Sequence, residues 1–187
     1  GRAELLQNTG QLQAPLTPFV GRSVELATLL LLLQRSDVRL TTLLGPGGIG
    51  KTRLAQQVGQ LYGATVIARV FYVALAGVTE PTALAAVLAA ALGLSQPGVD
   101  PQGALKQFLY GQPILLILDN LEHLLPAAPL LADLLQGAST IKMLVTSRER
   151  LNIPGEQLFV VEGMGYPKEA MLVADAVAFP LNGNVSM

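Results

Sequence analysis

Apolar residues along this chain fall into short dense runs separated by polar and glycine-containing breaks, and the spacing within each run separates helices from strands. Leu54, Val58 and Leu61 recur at intervals of four and three, which puts them on one face of a helix beginning near Lys51 and stopping at Gly63. A helix over residues 24–35, with Ser23 as its cap, comes earlier, and the Thr-containing apolar run 39–44 has the pattern of a strand. Runs 66–75, 114–118, 141–146 and 158–161 predict four further strands. Between them lie helices over 81–92, 101–109 and around Leu130, Leu131, Leu134 and Leu135. Residues 114–118 are apolar on both faces, which implies a central strand. Strands of that kind alternating with helices belong to an α/β domain with a parallel sheet covered on both sides.

Breaks and composition divide the chain. Residues 1–18, with Asn8, Thr9, Gly10, Pro15 and Pro18 among polar neighbours, predict a linker entering a domain that spans 19–162. Residues 163–187 continue no pattern and receive no structural assignment. A chain of 187 residues, 51% of them hydrophobic, is long enough to bury one sizeable core. Its formal charge is -1 and its 12 Lys and Arg residues are scattered, so this segment carries no electrostatic footprint for nucleic acid and is expected not to bind it. The absence of Cys excludes a disulfide framework and thiolate metal sites. No apolar run approaches the roughly 20 residues that span a bilayer; Leu29 to Leu33, for example, is followed by Gln34 and Arg35. No secretory signal pattern opens the chain, and the expectation is a cytoplasmic domain without membrane contact.

Chemistry concentrates at the glycines after the first predicted strand. Gly45, Pro46, Gly47, Gly48, Ile49, Gly50, Lys51 and Thr52 fit the phosphate-loop pattern, and they lie between a predicted strand and a predicted helix as that pattern requires. Glycines let the backbone wrap a phosphate with its N–H groups inward, and the helix N-terminus adds its dipole. Lys51 would neutralise β- and γ-phosphate oxygens of ATP or ADP, Thr52 would give its hydroxyl to Mg²⁺, and Arg53 completes the candidate nucleotide-binding set. Lys51 and Thr52 are expected on the loop's solvent side. Asp119 ends the apolar strand at the sheet edge where ligands bind, as the Mg²⁺ carboxylate or else as a helix cap. Arg148 closes the next strand at the same edge and could read a γ-phosphate, or be a surface residue of the Arg-Glu-Arg turn. His123 is the single histidine, so a packing or polar-contact role is expected rather than a metal site.

Four ordered motifs carry a resemblance. Phe19-Val20-Gly21-Arg22 with Glu25, the phosphate loop, Leu118-Asp119-Asn120-Leu121-Glu122-His123-Leu124, and Val145 to Leu151 followed by Gly155 and Glu156 together resemble the nucleotide-binding domain of STAND ATPases, the NB-ARC-like signalling NTPases of many bacterial transcriptional regulators. The resemblance covers about residues 19–161. It implies a five-stranded parallel sheet in the order 2-3-4-1-5, with Val20, Gly21 and Arg22 against adenine and ribose, Asp119 as the acidic metal residue and Arg148 as the nucleotide sensor. It also implies self-assembly of the full-length protein in its ATP state. Ala74 departs from relatives, which often carry an acidic residue there.

The function expected is a regulatory switch, with ADP holding a resting state and ATP favouring an assembling one. A dedicated ATP-consuming enzyme, either a motor ATPase or a small-molecule kinase, is the main alternative, and an interaction module with a vestigial loop is a third. Hydrolysis is expected to be slow at most, because Asn120 follows Asp119 where fast motor ATPases place a Glu, and an amide has no basic site near neutral pH. Glu122 is the nearest carboxylate in sequence. It could point back to the phosphate edge as a base or out to solvent, and solvent is favoured.

Overall fold

The computed structural model describes residues 3–6, 22–163 and 172–173. Five parallel strands form its centre: β2 (Leu40–Leu44), β3 (Arg69–Ala74), β4 (Ile114–Asp119), β5 (Lys142–Ser147) and β6 (Glu156–Val160). They lie in the spatial order β3-β4-β5-β2-β6, which in chain order is 2-3-4-1-5. Two short strands, β1 (Ala3–Leu6) and β7 (Leu172–Val173), extend this sheet antiparallel at its two edges. The first falls in the segment read as a linker and the second in the segment left unassigned. Neither carries an extended alternating pattern, so pairing with the sheet, rather than local propensity, defines them.

Five helices cover the sheet: α1 (Ser23–Gln34), α2 (Lys51–Thr65), α3 (Leu84–Ala91), α4 (Pro101–Leu109) and α5 (Ala128–Gly137). Every residue of β4 is buried, and its alternation divides the core. Leu115 and Ile117 join Leu29, Leu33, Leu54, Val58 and Phe159 under α1 and α2. Ile114, Leu116 and Leu118 face the opposite way, into the larger cluster with Leu84, Leu88, Leu105, Leu131 and Leu134 from α3, α4 and α5. A central strand buried on both faces is what its continuous apolar run demands.

Several local expectations shift. Helix α2 does not stop at Gly63 but runs two residues further, to Thr65. A Cβ at Gly63 would lie 3.1 Å from Val70 Cγ2, so the glycine here permits close helix-on-strand packing instead of ending the helix. Strand β3 correspondingly begins at Arg69. Ser23 is the first residue of α1 rather than its cap; Arg22 holds the cap position without a side-chain cap bond, because a guanidinium has no acceptor to offer the helix N–H groups. The expected 81–92 helix opens as a 3₁₀ turn at Pro81–Ala83 before α3. No helix among the described residues is long and apolar enough to cross a membrane. His123 Nε2 lies 2.9 Å from the Leu75 carbonyl, a polar contact as expected.

Register levels the C-terminal strand ends. Leu44 is paired with Ser147 on one side and Val160 on the other, and Ala74 with Asp119. Everything that follows the strands therefore opens onto one edge of the sheet.

Candidate functional site

The glycine loop leaves β2 at that edge and returns as α2. Its first turn is tied to the neighbouring strand, Gly45 N–H donating to the Ser147 carbonyl at 3.3 Å. Its last residue before the helix, Gly50, has φ 89°, a left-handed conformation that a side chain disfavours. Gly47 is the point of close approach. A Cβ there would meet the Arg148 guanidinium, with Cζ at 3.0 Å. Arg22, 3% exposed, donates through Nη2 to the Ile49 carbonyl and to Glu162 O at 3.3 Å, and through Nη1 to Glu25 at 2.7 Å.

Lys51 is only 7% exposed, which corrects the solvent-side expectation. Its ammonium folds back on the loop, donating to Gly45 O at 2.6 Å and Pro46 O at 2.8 Å, because carbonyls that the tight loop leaves unpaired need a donor. Burial holds its pKa below the ordinary lysine value; the charges of Glu122 and Asp119 oppose that shift, and Arg148 adds to it.

Thr52 Oγ1 lies 2.8 and 3.0 Å from the two Asp119 carboxylate oxygens. Asp119 is 3% exposed and also accepts from Tyr72 OH at 2.7 Å and from Thr146 Oγ1 at 2.5 Å. Three hydroxyls from α2, β3 and β5 thus converge on one carboxylate at the end of β4. Thr146 Oγ1 in turn accepts the Asn120 N–H at 2.9 Å. Tyr72 and Thr146 escaped the sequence reading as partners of Asp119, since a cross-strand contact leaves no local signature. The Thr preceding Ser147 and Arg148 at a strand end was the one available hint.

Chain direction changes sharply after Asp119. Asn120 has φ 61°, Leu121 N–H donates to Thr146 O at 3.0 Å, and a kinked 3₁₀ helix spans Glu122–Ala127. That turn brings Glu122 round to the glycine-loop edge instead of to solvent. Its side chain is 24% exposed, with Oε1 at 3.7 Å from Arg148 Nε. The other oxygen, Oε2, is buried with no hydrogen-bond partner. Arg148 itself is 62% exposed and lies over the loop at Gly47.

Gly47, Gly48, Gly50, Lys51 and Thr52 line one side of a cleft of about 770 Å³, facing Asn120, Glu122 and Arg148. Arg53 lines it too, and Gln56, Gln57 and Gln60 prolong it along α2. Those glutamines carry no motif that marks them in the sequence. Gly45 and Ile49 are not among the lining residues; Ile49 packs instead against the core beneath α1 and α2. Val20 and Gly21 lie outside the described residues. Among the described residues no group of three or more His, Cys, Asp or Glu could hold a metal ion by itself. Cation binding here would need phosphate oxygens beside Thr52 and Asp119, the arrangement in which Mg²⁺ takes few protein ligands.

The family profile for the AAA domain matches residues 34–153. A Mycobacterium tuberculosis protein provisionally named an HTH-type transcriptional regulator is 41% identical over 140 residues, which cover 73% of this chain and 16% of that protein. An uncharacterized protein of the same organism is 37% identical over 158 residues, covering 83% of this chain and 40% of the other. The chain therefore spans less than half the length of either relative. Among solved structures, Cdc6p from Pyrobaculum aerophilum superposes with a TM-score of 0.55 at 24% identity, covering 74% of this chain and 42% of that one, a likeness of fold. A glycine loop at the C-terminal edge of a 2-3-4-1-5 sheet, facing the carboxylate of the next strand but one, agrees with the profile: the chain belongs to the AAA domain family of P-loop NTPases.

Proposed function

We propose that this domain is a Mg²⁺-dependent ATP/ADP switch of a STAND-type, NB-ARC-like signalling regulator, with slow intrinsic hydrolysis. One observation carries the reading: Thr52, Asp119 and Arg148 converge on the glycine loop, while the residue directly after Asp119 is the amide Asn120. The residues fit a magnesium nucleotide, because a hydroxyl and a carboxylate already meet at the mouth of a loop whose Gly47 crevice a single Cβ would fill. Thr52 and Asp119 would hold the ion, Lys51 and the loop amides the phosphates, and Arg53 the phosphate nearest the ribose. When bound, the ion supplies charge neutralisation between phosphate oxygens.

Arg148 makes the switch. A ligand shifts an equilibrium only by its differential affinity for the two states, and a guanidinium placed over Gly47 meets a γ-phosphate in ATP that ADP lacks. Assembly with further copies in the ATP state, and nucleic-acid contact only through other parts of a longer protein, complete the proposal. The name of one mycobacterial relative supports its regulatory side. Single-turnover assays of the purified domain are expected to give rates far below about 1 s⁻¹, the low end of ordinary enzyme turnover.

A specific observation favours a second reading, an ATP-hydrolysing enzyme: the Glu122 carboxylate faces the cleft. Brisk turnover by the isolated domain that disappears in Glu122→Gln would establish that reading and make Glu122 the base.

A further inference from the structure

We propose that Arg22 is a positioning residue for the phosphate loop: it anchors the Ile49 carbonyl and thereby aims the Gly50 N–H into the cleft. The inference rests on reading the loop as a phosphate site. It assigns Arg22 to the phosphates, through the backbone, rather than to the nucleobase side of the ligand.

Arg22 stands at the start of α1 with its side chain buried, and each end group of its guanidinium is committed. Nη1 donates to Glu25 Oε2 at 2.7 Å, and the two hydrogens of Nη2 serve two carbonyls, Ile49 O and, at 3.3 Å, Glu162 O. A guanidinium presents its donors in a rigid plane, so fixing one amino group on a carboxylate fixes the direction of the other. Glu25, one turn along α1, is that anchor.

The consequence passes through a single peptide unit. In a trans peptide the C=O and the following N–H point to opposite sides of the chain. Arg22 holds the Ile49 carbonyl from outside the cleft, since Arg22 is not among the cleft-lining residues whereas Gly50 is. The N–H of Gly50 is therefore turned inward. Gly50 needs φ 89° to present that face, and a Cβ on it would sit 3.8 Å from Arg22 Nη2, so the glycine and the arginine define one local geometry together. Without the anchor, the Ile49–Gly50 peptide is free to rotate, and the cradle loses an inward donor just before the helix.

The decisive ligand has phosphates and no base. Calorimetric titration with Mg-ATP and with Mg-tripolyphosphate is compared for the unaltered chain, Arg22→Ala, Arg22→Lys and Glu25→Gln, alongside the melting temperature of each free protein. Arg22→Ala is expected to weaken both ligands by the same factor, roughly tenfold or more, the scale of one charge-assisted hydrogen bond. Arg22→Lys, which keeps a donor to the carbonyl, should recover part of that loss. Should Arg22→Ala fail to fold, Glu25→Gln, which only loosens the anchor, is expected to weaken both ligands equally by a smaller factor. Loss for ATP with tripolyphosphate unchanged would overturn the proposal in favour of a base or ribose contact. A lowered melting temperature with both affinities intact would reduce Arg22 to a purely structural role. Failure of the unaltered chain to bind either ligand would instead remove the phosphate-site reading itself.

Discussion

Lys51 shows how much one residue's burial can reveal about its ligand. Its ammonium is kept among backbone carbonyls with a depressed pKa, chiefly because burial penalises the charge. In the window between that depressed value and the ordinary lysine value, the unfolded chain binds more protons than the folded one, so the stability of the free protein rises with pH there. Phosphate oxygens brought to Lys51 reverse the bias. Nucleotide binding within that window should therefore take up protons. Titration in two buffers of different ionisation enthalpy measures this, and Lys51→Arg, whose guanidinium does not titrate, should abolish the uptake. Arg148 yields a second expectation. Arg148→Ala should cost ATP more than ADP by about 1 to 3 kcal/mol, since the guanidinium it removes would bond to the third phosphate. Equal losses for both nucleotides would exclude it as a sensor. The meeting of Lys51, Thr52, Asp119 and Arg148 at one edge of the sheet was legible because glycine spacing and strand ends mark them locally. Tyr72 and Thr146 were not, because what they do depends on which strands become neighbours. Glu122 was misjudged for a related reason: the positive φ of Asn120 redirects the chain, and although Asn tolerates that conformation, Asn120-Leu121-Glu122 does not tell where the turn sends the carboxylate.

At the level of elements, the connection from β5 to β6 is held by one buried carboxylate. Glu156, 8% exposed at the start of β6, accepts from Thr42 Oγ1 at 2.9 Å on β2, from Leu151 N–H at 2.7 Å and from Asn152 N–H at 2.9 Å. It shapes the loop that begins at Arg148, with Ser147 Oγ bracing the other end by accepting from Glu149 N–H at 3.1 Å. Glu156→Gln replaces an acceptor by an amide donor facing a backbone N–H. The expected cost is about 1.5 to 3 kcal/mol, read as a fall in melting temperature of roughly 3 to 10 °C at this size. An unchanged melting curve would show that the loop does not depend on it. Helix and strand identities in the centre of the domain were readable from periodicity, as α4 and β4 illustrate. Element ends were less so: Gly63 passes through α2 because Val70 packs against it, a tertiary reason invisible to a local pattern.

For the whole molecule, the sheet gathers residues from far apart in the chain onto one edge, so the cleft exists only when β2, β4 and β5 are in place together. Ligand binding should accordingly raise the melting temperature of the entire domain, by an amount that grows as the logarithm of nucleotide concentration above its dissociation constant. Lys51→Ala should show no such shift. The edge strands β1 and β7 were beyond sequence reading because what defines them is a partner, not a pattern.

The placement of β2 between β5 and β6 has a consequence in time. During synthesis β2 emerges before either of its neighbours, which follow roughly 100 residues later, Leu44 pairing with Ser147 and Val160. At about 5 to 20 residues per second, an apolar strand with both edges open waits on the order of 5 to 20 s on the ribosome. Leu40, wholly buried in the finished domain in a cluster that includes Ile141, Met143 and Val145, lacks those neighbours throughout that interval and offers a target for holding chaperones. Nascent chains halted after residue 139 should stay protease-sensitive across β2 and the glycine loop and gain no protection from nucleotide. Chains released through residue 160 should become resistant in a single step, so that the newborn protein acquires its ligand site and its solubility together.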